Sequence, residues 1–272
     1  MGVCGSNNKK NQVTDLSLKI SKKLFVAGNW KCNPSFLDAQ KLVTDVYSRL
    51  EFDSNKIDVL ITPIALHIPA VLSSLSNGVQ VGAQNCSLTN NGQFTGELSA
   101  TQIKEFGINW VILGHPDRRS KFSEDNILVA NKLKMAVAQG LKVILCVGEQ
   151  LADKENGDTN AILKAQLDAC LAVIDSKDWE NVVLAYDPVW ASGTGKGATP
   201  EVAEETHLFL SEYLNDKITN ASGLRIIYGG SVNDTNCKEL ISQPHIDGFL
   251  IGGASLKPIM HTIVKVVNDI QK

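Results

Sequence analysis

Five residues of this sequence combine a reactive type with a telling position: Asn29, Lys31, His115, Asp117 and Asp187. Each stands two to four residues after a short, apolar, β-branched run. Two glycine turns stand in equivalent places, Gly229-Gly230-Ser231 and Gly252-Gly253. A cation, a histidine, a carboxylate and turns rich in backbone N–H suit one chemistry. The turns would hold a phosphate. The carboxylate Asp187 would remove a proton beside a carbonyl, and His115 and Lys31 would stabilise the resulting enediolate. That chemistry requires no cofactor, and the absence of an HxH or HExxH pattern speaks against a metal.

Each residue also has a plainer reading. The glycines would permit tight turns whatever they bind. His115 alone could be a structural side chain. Asp187 could be a helix cap or an ion-pair partner, although a carboxylate closing so apolar a run is costly without a role. The constellation, more than any member of it, carries the argument.

The elements that must position these groups follow a regular rhythm. Apolar runs occur at residues 24–27, 59–62, 79–82, 110–113, 143–147, 182–185, 225–228 and 248–251. They are nearly continuous, as strands covered on both faces require. Helical spacing appears between them. Residues 126–140 place Ile127, Ala130, Leu133, Met135 and Val137 on an apolar face, and residues 200–214 place Val202, Ala203, Leu208, Leu210 and Leu214 on another, behind a Thr199-Pro200 start. Residues 258–270 carry Ile259, Ile263, Val266, Val267 and Ile270. Eight strand–helix units predict an α/β fold, a single closed (β/α)8 barrel whose site lies at the C-terminal ends of the strands. An open doubly wound sheet would announce a G-x-G-x-x-G turn after an early strand, and none follows any of the eight. The Gly193–Lys196 stretch lacks the full spacing and ending of a P-loop.

The chain has 272 residues, 43% hydrophobic and 20% charged, enough for one such barrel and incompatible with global disorder. Its net charge of −3 gives no reason to expect nucleic acid, and no apolar run reaches the ~18 residues of a membrane span. Six scattered cysteines without a CxxC pair predict a reduced, intracellular compartment. Residues 1–23 hold five lysines and one acid, Asp15, leaving the rest of the chain at −7. Residues 1–22 read as a flexible, disordered basic tail ahead of a catalytic barrel over 23–272. The tail opens Met1-Gly2-Val3-Cys4-Gly5-Ser6, which fits the M-G-x-x-x-[ST] myristoylation pattern. Gly2 and Cys4 are therefore candidate lipidation sites, and the tail's lysines would favour an anionic membrane.

Several ordered motifs make the sequence resemble the triosephosphate isomerase family from about residue 23 onward. They include Gly28-Asn29-Trp30-Lys31-Cys32-Asn33, Phe94-Thr95-Gly96-Glu97, Ile112-Leu113-Gly114-His115 and Ala185-Tyr186-Asp187-Pro188-Val189-Trp190-Ala191. Tyr228-Gly229-Gly230-Ser231-Val232 and the stretch 248–256 extend the match. The resemblance implies a TIM barrel that interconverts dihydroxyacetone phosphate and glyceraldehyde 3-phosphate. It implies that Asn29 and Lys31 orient the substrate and that His115 is a neutral electrophile. Gly193, Ser231, Gly252 and Gly253 would hold the phosphate. Residues 188–198, among them Pro188, Trp190, Ser192 and Gly197, would form a lid, with Tyr228 as its latch. The loop around Thr95 would enter a second subunit, implying a homodimer.

The departures from the family cluster on the same machine. Asp187 stands where the family has Glu, and Pro116-Asp117 where it has Ser-Glu. Ser192 replaces an Ile of the lid, and Gly197 usually a Thr. Asp is one methylene shorter than Glu, and a misplacement of ~1 Å can cost about 10²-fold in rate. Ser192 would admit water over the base, and Gly197 would loosen the lid's rear hinge. Pro116 and Asp117 would compensate in part for the short base. The competing expectation is a barrel without catalysis that binds phosphorylated ligands or a protein partner.

Overall fold

Along the first strand, successive side chains point to opposite faces. Phe25 and Ala27 join one buried apolar cluster, while Leu24 and Val26 join a larger one. The same division repeats around a closed parallel barrel in the order β1 to β8. Its strands are β1 (Leu24–Asn29), β2 (Ile57–Thr62), β3 (Gln80–Ala83), β4 (Trp110–Leu113), β5 (Lys142–Val147), β6 (Val182–Tyr186), β7 (Arg225–Tyr228) and β8 (Gly248–Ile251). The computed structural model describes residues 22–191, 197–270 and 272.

The smaller cluster fills the barrel with Phe25, Leu60, Trp110, Ile144, Val183 and Ile227, among others. The larger one lies between the strands and the helices outside them. These helices are α1 (Phe36–Asp45), α2 (Ile68–Ser73), α3 (Ala100–Glu105), α4 (Pro116–Lys121), α5 (Asn126–Ala138), α6 (Leu151–Glu155), α7 (Thr159–Leu171), α8 (Pro200–Lys217), α9 (Cys237–Ile241) and α10 (Met260–Asp269). Closure between β8 and β1 depends on Gly248, whose φ is +150°. A Cβ there would lie 1.8 Å from the Phe25 carbonyl oxygen.

All eight expected strands are present, five of them with shifted ends. β1 continues to Asn29 because Gly28 and Asn29 still pair with Ile61 and Thr62. The start expected at Thr199-Pro200 is realised, with the Thr199 side chain accepting from the Val202 N–H. The apolar face expected for α5 is rotated: Ile127 is 70% exposed, and Val129 and Lys132 are buried instead. The buried Glu124 carboxylate, 2.6 Å from Lys132 Nζ, makes that lysine's burial tolerable. Of the basic tail only Lys22 lies within the described residues, and it pairs with Asp247 at 3.1 Å.

Candidate active site

The C-terminal end of β1 delivers Asn29 and, two residues later, Lys31. Asn29 is buried, and its Oδ1 accepts the Lys31 N–H at 3.0 Å. Lys31 has φ +53°, a conformation that non-glycine residues adopt only when their surroundings impose it. Gln84 supplies part of that constraint. Its side-chain amide donates to the Lys31 carbonyl at 2.7 Å and to the Thr62 carbonyl at 2.8 Å. The lysine is thus held by the ends of three strands, and its Nζ reaches Asp117 Oδ2 at 3.2 Å.

His115 caps α4. Its Nδ1 accepts the Asp117 backbone N–H at 3.1 Å. Pro116 stands at the first helical position, where its missing N–H costs nothing, and Asp117 at the second supplies the capping bond. Because Nδ1 accepts, the ring proton of the neutral imidazole sits on Nε2. Burial, with Lys31 nearby, pushes the His115 pKa down to about 4, so the ring is neutral near pH 7. Its Nε2 lies 3.6 Å from Asp187 Oδ2.

Asp117 divides its carboxylate between two lysines, Lys31 on Oδ2 and Lys121 on Oδ1 at 3.3 Å. Burial works to raise its pKa, but His115 and the two lysines hold it below the usual value. Asp187 follows β6 and is buried, its N–H donating to the Val147 carbonyl at 2.8 Å. Two glycines make room for it. A Cβ on Gly148 would lie 2.0 Å from the Asp187 carbonyl oxygen, and one on Gly229 would lie 2.9 Å from Asp187 Cβ. Gly230 does the same for Tyr228, whose hydroxyl would stand 2.1 Å from an added Cβ. The glycine pair after β7, expected to bind an anion, therefore has a steric task at each position.

Hydrogen bonds anchor both stems of the segment expected to form a lid. Ala191, in the front stem, offers its carbonyl to both the N–H of Ser231 at 3.2 Å and its hydroxyl at 2.8 Å. Trp190 donates its indole N–H to Glu149 at 2.7 Å. In the rear stem the Ala198 N–H donates to the Tyr228 hydroxyl at 3.0 Å. Gly197, expected to loosen the rear hinge, packs closely against Ser231. A Cβ there would lie 2.9 Å from the Ser231 carbonyl oxygen. Ser192 and Gly193 lie outside the described residues. Gly252 sits beside Lys31, where an added Cβ would lie 3.7 Å from Lys31 Cε, and its neighbour Gly253 is exposed.

A cavity of about 690 Å³ opens over Asn29, Lys31, Gln84, His115 and Asp117. The Phe94–Leu98 loop stands out near it, with Thr95 exposed and Phe94 and Leu98 nearly half exposed. Gln84 and Glu149 stand just after β3 and β5 and had no expected role. Gln84 anchors Lys31, and Glu149 anchors Trp190.

A neutral imidazole facing a carboxylate, with a lysine and glycine turns at the mouth of a closed eightfold barrel, defines an isomerase of the proton-transfer kind. The triosephosphate isomerase family model matches residues 24–268. A triosephosphate isomerase of Coprinopsis cinerea is 46% identical over 88% of this chain and 96% of its own length. The cytosolic triosephosphate isomerase of Oryza sativa subsp. japonica is 47% identical over 88% and 94%. That of Taenia solium is 43% identical over 90% and 98%. The chain belongs to the triosephosphate isomerase family.

Proposed function

We propose that the chain interconverts dihydroxyacetone phosphate and glyceraldehyde 3-phosphate in the cytoplasm, with Asp187 as a short and therefore slow base. Asp187 takes the proton from the carbon beside the carbonyl. His115 donates from Nε2 to the carbonyl oxygen and takes back the proton of the neighbouring hydroxyl, which becomes the new carbonyl, and Lys31 offsets the negative enediolate. Asn29 holds Lys31 in its uncommon backbone conformation. Return of the proton to the neighbouring carbon completes the isomerisation. Backbone N–H groups of Gly193, Ser231, Gly252 and Gly253 hold the phosphate. For Ser231 this requires its N–H to leave the Ala191 carbonyl, which couples phosphate binding to movement of the lid's front stem.

The observation that carries this reading is the 3.6 Å approach of a neutral His115 to Asp187. Pro116 and Asp117 support compensation for the short base. Proline pre-sets the first turn of the helix whose Asp117 N–H orients His115, and the Asp117 carboxylate faces Lys31. Steady-state kinetics with glyceraldehyde 3-phosphate tests the function. A purified protein without turnover would leave a barrel that only binds phosphorylated ligands or a partner. The exposed loop around Thr95 supports a homodimer, which sedimentation would show as a doubled mass.

The N-terminal pattern supports acylation at Gly2, with Cys4 as a second lipid site, and hence tethering to a membrane. Both residues lie outside the described structure. An intact-mass measurement on protein from its native cell tests this, and an unmodified N-terminus rejects it.

A further inference from the structure

Tyr47, in the short turn that follows α1 (Tyr47–Arg49), is fully buried and has no part in the proton transfers. A phenol so far from water needs a partner for its hydroxyl. It donates to the Ser255 backbone carbonyl at 2.5 Å, and the Trp30 indole N–H reaches the same hydroxyl at 3.5 Å. Burial pushes the Tyr47 pKa well above its ordinary value, so the hydroxyl keeps its proton and stays a donor. Gly28 leaves room for the pair: a Cβ there would stand 3.0 Å from both the Tyr47 hydroxyl and Ser255 Cβ.

Ser255, also fully buried, lies in a 3-10 turn (Gly253–Leu256) that begins at the glycine pair after β8. Both its N–H, at 2.8 Å, and its hydroxyl, at 2.6 Å, donate to the Gly252 carbonyl. That carbonyl and the Gly253 N–H belong to one planar trans peptide unit, so they point in opposite directions. Fixing the carbonyl on the buried Ser255 therefore aims the Gly253 N–H outward, and Gly253 is exposed. Glycine's backbone freedom would otherwise have to be lost when a ligand binds. The grip on Gly252 is only as firm as Ser255, which Tyr47 secures from 208 residues away in the chain.

We propose that Tyr47 is a positioning residue for the phosphate of the substrate: its hydroxyl seats Ser255, and Ser255 holds the Gly252–Gly253 peptide with its N–H presented to that phosphate. This role rests on the reading that Gly252 and Gly253 hold phosphate. The phosphate is not the reacting part of the molecule, so the contact strengthens ground state and transition state alike, and its loss shows in KM more than in kcat.

Tyr47→Phe removes the hydroxyl and keeps the ring, and Ser255→Ala frees the Gly252 carbonyl while leaving the Tyr47 bond to the backbone intact. Affinity for inorganic phosphate is read by calorimetry on both variants and the unaltered chain, beside KM and kcat for glyceraldehyde 3-phosphate. Tyr47→Phe is expected to bind phosphate about fivefold more weakly, the worth of one hydrogen bond. Its KM should rise by a similar factor with kcat changed less than about twofold, and Ser255→Ala should shift the same two constants in the same direction. A merely structural role would lower the melting temperature and leave the phosphate affinity of the folded protein where it was, and that result overturns the proposal. A fall in kcat without a change in KM overturns it too. Should Tyr47→Phe fail to fold, Ser255→Ala with unaltered phosphate binding overturns it as well. An unaltered chain that binds no phosphate would reject the reading of the glycine turn, and the proposal with it. Absence of turnover in an unaltered chain that does bind phosphate would reject the isomerase function alone, and the affinities would still decide the role of Tyr47.

Discussion

Nε2 of His115 lies 3.6 Å from Oδ2 of Asp187, and the opposite nitrogen of the same ring accepts the Asp117 backbone N–H. One bond therefore fixes both the tautomer and the direction in which the ring proton points. A substrate carbonyl placed at Nε2 would meet a donor already oriented beside the base. Since the donor is a neutral imidazole, no charge has to be removed before the reaction can run.

The first prediction concerns that neutrality. NMR of ring-labelled histidine should show His115 as the Nε2–H tautomer from pH 8 to below pH 6, titrating only near 4. An unfolded histidine titrates near 6.5. Between those two values the unfolded chain binds the extra proton and the folded chain does not. Stability should therefore fall as pH drops from about 6.5 to about 4, by roughly 3 kcal/mol from this group. A His115 that protonates between pH 6 and 7 would contradict the site's electrostatics.

Asp117→Asn removes a charge while keeping the backbone N–H that orients His115. Lys31 and Lys121 each lose an ion-pair partner that is partly open to solvent. Such pairs contribute up to about 1 kcal/mol, so kcat/KM should fall by up to about fivefold with the His115 tautomer unchanged. A loss of about 10³-fold would mean that the carboxylate itself takes part in proton transfer.

Gly229→Ala should test whether the base depends on steric room. The added Cβ would meet Asp187 Cβ at 2.9 Å and push the carboxylate aside. A shift of ~1 Å should lower kcat about 10²-fold. Overpacking of this kind should also lower stability by about 1–3 kcal/mol, read from denaturant unfolding. Full activity would show that Asp187 does not need its present position.

Gly248→Ala addresses the fold. Its Cβ would fall 1.8 Å from the Phe25 carbonyl oxygen, where the last strand closes on the first. Backbone must move to accommodate it, and the effect should exceed about 4 kcal/mol, the range of severe single substitutions. Circular dichroism and solubility would show the loss, and a variant with unaltered thermal unfolding would contradict the closure argument.

Much of this architecture is legible in the sequence, because strands covered on both faces leave nearly continuous apolar runs. Trp110–Leu113, Arg225–Tyr228 and Gly248–Ile251 are read from sequence with their observed ends. Where one face meets polar groups the reading slips. β1 extends past its apolar run to Asn29, and Lys132 is buried on a helix whose apolar pattern favours Ile127. Asn29, Lys31, His115 and Asp117 stand at or just after strand ends, a local property. What stays hidden depends on contacts between distant segments. Gln84 reaches Lys31 across 53 residues, Ser231 reaches Ala191 across 40, and Trp190 reaches Glu149 across 41. The steric need for Gly229 and Gly230 likewise appears only once Asp187 and Tyr228 are seen beside them.

Asp187→Glu lengthens the proposed base by one methylene and tests directly whether Asp187 is too short. Steady-state kinetics of that variant beside the unaltered chain, with Pro116→Ser as a third protein, are predicted to show kcat raised up to about 10²-fold by Asp187→Glu and lowered by Pro116→Ser. A Pro116→Ser variant as active as the unaltered chain would remove the compensation assigned to Pro116. A kcat that Asp187→Glu leaves unchanged or lowers would contradict the claim that the carboxylate is short of its task.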